Sequence, residues 1–165
     1  METFVGLILF TILIVIQSSL LVHLNILSYM PELLLIFCVY MGARLNWYRG
    51  FWWGILCGIG VSAFSVIDLR FAIAVFALSG LIAGSFRGTL FVDSIGIKVI
   101  LLFFISLLQA ILFGVFYKEI SLSFFSFNPA NKYLFKIPFI NCVFAIPLYY
   151  IMEKVFTKLS PYEKS

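Results

Sequence analysis

Between Arg49 and Asp68 the chain runs for eighteen residues without a charged side chain, and glycines recur in that stretch at every fourth position, 50, 54 and 58. This spacing puts all three on one face of a helix. In a water-soluble helix each would cost about 0.5 to 1 kcal/mol against alanine. In a bilayer the backbone amides must pair within the helix in any case, and the missing side chains let a second helix approach closely. Flanked by Phe51, Trp52 and Trp53 and continued by Gly60 and Ser62, the stretch reads as a membrane helix packed tightly against another.

The rest of the chain agrees. It is 64% hydrophobic and 11% charged, against about 45 to 50% and about 25% in soluble domains. So few charges cannot cover a water-facing surface. At about 20 apolar residues per crossing, 165 residues hold six helices. The expected fold is an all-α integral membrane protein, a compact bundle of about six transmembrane helices in a single domain over residues 1–165. The expected spans are 4–22, 31–45, 50–67, 71–86, 99–116 and 133–152. Met1-Glu2-Thr3 brings no basic residue before the first apolar run, and no small-residue cleavage site follows it, so that run reads as a retained span.

The net charge of +4 does not imply a nucleic-acid partner, because the basic residues sit at segment ends and form no stripe. They read as topology signals. With the N-terminus in the cytoplasm, Arg44, Arg49, Arg87, Lys98, Lys154, Lys158 and Lys164 lie inside, and Arg70, Lys118, Lys132 and Lys136 lie outside. That bias favours both termini inside.

Within the first span Gln17, Ser18 and Ser19 are expected to face another helix, and His23 to be interfacial. Pro31-Glu32 opens the second span, either as a good helix start or as a docking point for a partner. Arg44 to Arg49, with Trp47, has the character of a headgroup-level turn. Gly80 and Gly84 form a second small-residue face in a fourth span of only sixteen residues, about 24 Å long. Ser106 and Gln109 interrupt the fifth span, 117–132 reads as an interfacial connection, and Pro138 and Pro147 are expected to bend the sixth. Glu153 to Ser165 reads as a polar tail.

Chemistry-bearing groups are sparse. Glu2, Glu32, Asp68, Asp93, Glu119, Glu153 and Glu163 all fall at or near expected span ends, so none is expected mid-membrane. Cys38, Cys57 and Cys142 lie in apolar runs at spacings that fit neither a zinc site nor a disulfide framework. No hydrolase, zinc-protease or phosphate-loop motif is present. The expectation is a protein that is not an enzyme, with no catalytic residues, no metal and no cofactor.

Pro31-Glu32-Leu33-Leu34-Leu35, Arg49-Gly50 with Gly54 and Gly58, and Gly80 to Gly84 followed by Arg87-Gly88 together resemble the bacterial rod shape-determining MreD family. The likeness covers the whole chain in plan and residues 31–88 in motif. Glu32 stands where that family usually has Asp, and Ser62 where many members carry an acid. The resemblance implies a non-catalytic scaffold that binds MreC in the cell-elongation complex and helps guide peptidoglycan synthesis. It also implies proximity to MreB, to RodA and to a penicillin-binding transpeptidase. Membrane lipid surrounds such a protein, and its oligomeric state, a homodimer among the options, is left open. The family is similar in helix plan to the S components of energy-coupling-factor transporters, whose vitamin binding is the alternative function. Gly50, Gly54 and Gly58 are expected to pack on Gly80 and Gly84, leaving Pro31, Glu32, Arg44, Arg49 and Arg87 to meet a partner.

Overall fold

A computed structural model of the chain describes residues 2–23, 31–65, 67–87, 94–116 and 129–159, with side chains left out at 20–23, 129–134 and 159. Six helices follow one another: α1 (Glu2–His23), α2 (Leu33–Arg44), α3 (Trp47–Phe64), α4 (Leu69–Ser85), α5 (Ile95–Phe116) and α6 (Pro129–Leu159). Three are long and apolar enough to cross a membrane, within Glu2–Ser19, Ile95–Phe116 and Phe135–Lys158. Helices α2 and α4 are shorter, and at 1.5 Å per residue α2 reaches only about 18 Å.

Five helices form a ring around the sixth. Neighbours in the ring are α1 and α3, α3 and α4, α4 and α5, α5 and α6, and α6 and α1, while α2 touches every one of them. Every residue of α2 from Leu33 to Ala43 is buried. A helix enclosed on all sides needs no polar face, and Leu-Leu-Leu-Ile-Phe-Cys-Val-Tyr-Met-Gly-Ala has none before Tyr40. Its side chains supply most of the core, with Phe37, Phe10 and Trp53 packing as an aromatic trio 5.4 to 6.3 Å apart.

The tightest pairing is α3 on α4. The turn between α2 and α3 is only Leu45-Asn46, with Asn46 Oδ1 accepting from Trp47 N at 3.0 Å. Asp68 starts α4 by accepting from Arg70 N at 2.9 Å and Phe71 N at 3.3 Å. Antiparallel neighbours result. A methyl group at Gly50 would strike the Gly80 carbonyl oxygen, and one at Gly80 would strike that of Gly50. At Gly54 it would stand 2.7 Å from Ala77 Cα, at Gly58 2.7 Å from Ile73 Cα, and at Gly84 2.7 Å from Trp47 N. The two glycine faces therefore meet at Gly50 and Gly80, and Gly54 and Gly58 fit against the Ala72 to Ala77 backbone. Gly42 of α2 closes the junction, since a Cβ there would lie 2.8 Å from Gly80 O.

Several boundaries differ from the sequence reading. Helix α5 begins at Ile95, so Lys98 belongs to its first turn, and α6 runs on to Leu159, so Glu153 is helical and not part of a tail. Pro138 and Pro147 are accommodated inside α6 without interrupting it. The 24–30, 88–93 and 160–165 segments, and 117–128 of the expected interfacial connection, lie outside the described residues, as do the side chain of His23 and all of Asp93.

Because backbone meets backbone along α3 and α4, Gly54→Leu and Gly80→Leu should each destabilise by about 1 to 3 kcal/mol or more. Cys38→Ala removes one buried sulfur and should cost about 1 kcal/mol. Thermal unfolding of the detergent-purified variants checks the order, and equal midpoints for all three would contradict it.

Candidate functional site: two polar clusters and a cationic rim

A polar cluster gathers at each end of α2. At its start the first amides have no intrahelical acceptor, and Glu32, the residue before it, makes no side-chain cap to its own helix. Pro31 O accepts from Leu33 N at 3.1 Å, Glu32 O accepts from Leu35 N and Ile36 N at 3.0 and 3.1 Å, and other helices supply the remaining acceptors. Gln17 Oε1 from α1 accepts from Leu34 N at 3.1 Å, and Asn141 Oδ1 from α6 accepts from Glu32 N at 2.9 Å. Asn141 Nδ2 in turn donates to Ser106 Oγ at 2.9 Å, and Gln109 Nε2 donates to Glu32 Oε2 at 2.7 Å. Gln109, Ser106 and Asn141 are all buried. Four helices are thus tied together by one set of hydrogen bonds. Among the described residues Gln109 Oε1 is a buried acceptor without a partner.

At the other end of α2 the cluster is charged. Arg44 Nη2 meets Glu2 Oε1 at 3.1 Å and Arg44 Nη1 meets Glu153 Oε1 at 3.5 Å. Lys98 Nζ reaches Glu153 Oε2 at 3.2 Å, and Tyr40 donates its hydroxyl to the same oxygen at 2.9 Å. The Arg44 guanidinium lies 4.8 Å from the centre of the Phe156 ring, and Lys98 Nζ lies 5.0 Å from that of Tyr40. Lys98 is only 4% exposed. Opposite charges from α1, α2, α5 and α6 therefore neutralise one another where an isolated ion would be costly.

The residues expected at a partner surface divide accordingly. Glu32 turns to Gln109 and Arg44 to Glu2 and Glu153, with Pro31 half-buried beside them. Arg49 and Arg87 keep exposed side chains. Ser62 bonds the backbone of its own helix at Ile59 O, 2.9 Å away. The sequence reading missed the interior placement of Lys98 and Asn141 and the pairing of Glu153 with Arg44 and Lys98. Their signal was their spacing: Asn141 and Glu153 stand twelve residues apart on one helix, which carries them to opposite ends of α2.

Among the described residues no three His, Cys, Asp or Glu side chains come together as a metal site, and Cys38, Cys57 and Cys142 are free thiols. The two clusters join helices to one another, and their groups face their partners inside the bundle.

Two substitutions separate these roles. Gln17→Leu or Asn141→Leu should cost about 1 to 3 kcal/mol by leaving a buried amide of α2 unpaired, whereas Ser18→Ala, whose hydroxyl bonds only Val15 O of its own helix, should change the unfolding midpoint little. Equal effects of all three would contradict the capping role. For the charged cluster, Glu153→Gln and Lys98→Met should couple by about 1 to 3 kcal/mol in a double-mutant cycle, and additive effects would show that the pair contributes nothing.

Comparison with known proteins bears on the whole chain. The family model described as rod shape-determining protein MreD matches residues 1–159, which takes in all six helices. No curated protein and no solved structure matches the chain, so the likeness in plan to transporter S components is without support. With a match of that extent on a six-helix bundle, the chain belongs to the MreD family of rod shape-determining proteins.

Proposed function

We propose that the chain is a non-catalytic scaffold of the cell-elongation complex, binding an MreC-like protein and helping to guide peptidoglycan synthesis along the cell cylinder. Family membership gives it a role in rod shape determination. The observation that carries the scaffold reading is the filled centre of the ring. Side chains of α2 occupy it from Leu33 to Ala43, and the buried Lys98 and the partly buried Arg44 are both engaged by Glu153. Such a core holds outer helix faces in fixed relation, which is what a platform for other membrane proteins requires.

On this reading the chain lies in the bacterial cytoplasmic membrane as a multi-pass protein, with both termini inside. The excess of basic residues assigned to the inner segments supports that orientation. MreB filaments would then be neighbours on the cytoplasmic side, and RodA with its penicillin-binding transpeptidase would be neighbours in the membrane. A second copy of the chain is a further candidate partner. Pro31, Glu32 and Arg44 act from within, fixing the helices that a partner meets.

The direct test is isolation of a tagged chain from a rod-shaped host, paired with depletion. Recovery of an MreC-like protein and rounding of depleted cells are the expected results. Intact rods together with no recovered partner would contradict the proposal.

A further inference from the structure

We infer that Arg49 and Arg87, with Trp47 and Tyr48, form a binding site for the headgroup of an anionic phospholipid. Three independent features lead there. The first is an imbalance of charge. The start of α1, the end of α2, the start of α3, the end of α4, the start of α5 and the end of α6 share one face of the bundle. The described side chains there include six basic residues, Arg44, Arg49, Arg87, Lys98, Lys154 and Lys158, and two acids, Glu2 and Glu153. Both acids are turned inward onto Arg44 and Lys98. Among the described side chains, four exposed basic residues on this face, Arg49, Arg87, Lys154 and Lys158, stand against the partly exposed Glu153, which is already paired with Arg44 and Lys98. At the opposite face the exposed described charges are one acid, Asp68, and two basic residues, Arg70 and Lys136, with Glu32 turned inside to Gln109.

The second feature is proximity. Helix α4 ends against the start of α3, with Gly84 at the Trp47 backbone and Arg87 N bonded to Gly84 O at 3.2 Å. Arg49 and Arg87 therefore rise from adjoining ends of two helices in backbone contact, and both are exposed. Two guanidinium groups so placed suit a phosphate, whose oxygens accept paired N–H donors.

The third feature is the order of chemistry along the outer surface of α3. Trp47, Tyr48 and Arg49 are all exposed in the first turn of α3, Trp52 follows one turn on, with Tyr48 edge to face with Trp47 at 6.0 Å and with Trp52 at 6.3 Å, and exposed Leu56 and Ile59 come next. A cation among aromatic rings at the helix start and aliphatic groups beyond them follow a bilayer leaflet from headgroup to acyl chain. From Arg49 to Ile59 the helix rises about 15 Å, half of a hydrocarbon layer about 30 Å thick. An acidic protein segment would match the arginines alone, whereas a lipid matches the whole strip.

The test is lipid retention. The full-length protein is incorporated into nanodiscs containing equal phosphatidylglycerol and phosphatidylcholine, extracted in mild detergent, and its retained lipids are quantified by native mass spectrometry. Phosphatidylglycerol should be enriched about tenfold, given the attraction of basic side chains for anionic lipid. In R49Q/R87Q the retained ratio should fall close to one, while R49K/R87K keeps most of the enrichment and R70Q, at the opposite face, keeps all of it. No enrichment in the wild-type protein, or undiminished enrichment in R49Q/R87Q, would overturn the site. So would an R49Q/R87Q variant that retains phosphatidylglycerol normally but loses a co-isolated protein, which would assign the rim to that protein.

Discussion

Helix α2 is too short to reach both faces of a membrane, and its first residues Leu33 and Leu34 are buried, where an amide without an acceptor costs several kcal/mol. The rest of the bundle is arranged around that requirement. Gln17 and Asn141 bring acceptors from α1 and α6, and Gln109 and Ser106 bring α5 into the same cluster through Glu32 and Asn141. At the far end Arg44 draws in Glu2 and Glu153. A central helix fastened at both ends to the helices that flank it leaves little freedom for the ring to rearrange.

The two sides of the ring adhere by different means. On the α3 and α4 side contact is made by absence, with Gly42, Gly50 and Gly80 letting three backbones converge. On the α5 and α6 side it is made by polar side chains and by Tyr40 packing on Tyr149 and Phe156 at 5.5 and 5.8 Å. In lipid neither side gains from a hydrophobic driving force, so close packing and buried hydrogen bonds carry the association.

Much of the first arrangement was legible in the sequence, because a glycine at every fourth position of an uncharged helix marks a face cleared for another backbone. Six helices, the small-residue faces of α3 and α4, and the short reach of α4 all follow from spacing and composition. The enclosure of α2 was not legible. An all-apolar run reads the same whether lipid or protein surrounds it, and Gly42 stands alone without a repeat to mark it. The polar clusters were hidden for a related reason. Glu153 and Lys98 sit at the edges of apolar runs, where sequence places them in water, and only the longer courses of α5 and α6 bury Lys98 and bring the partly exposed Glu153 against it. Arg49 and Arg87 were placed at a rim by sequence, but that the acids of that face are bound within the bundle emerges only from the packing.

A rigid centre is what the proposed scaffold role requires, since a platform for other membrane proteins must keep its helix faces in fixed relation to one another. Amide hydrogen exchange of the purified protein in nanodiscs tests that centre most directly. Peptides covering 33–43 should be the slowest to exchange in the molecule, slower than those covering the outer, lipid-facing helix at 2–19. Exchange over 33–43 as fast as over 2–19 would contradict a structure built around α2.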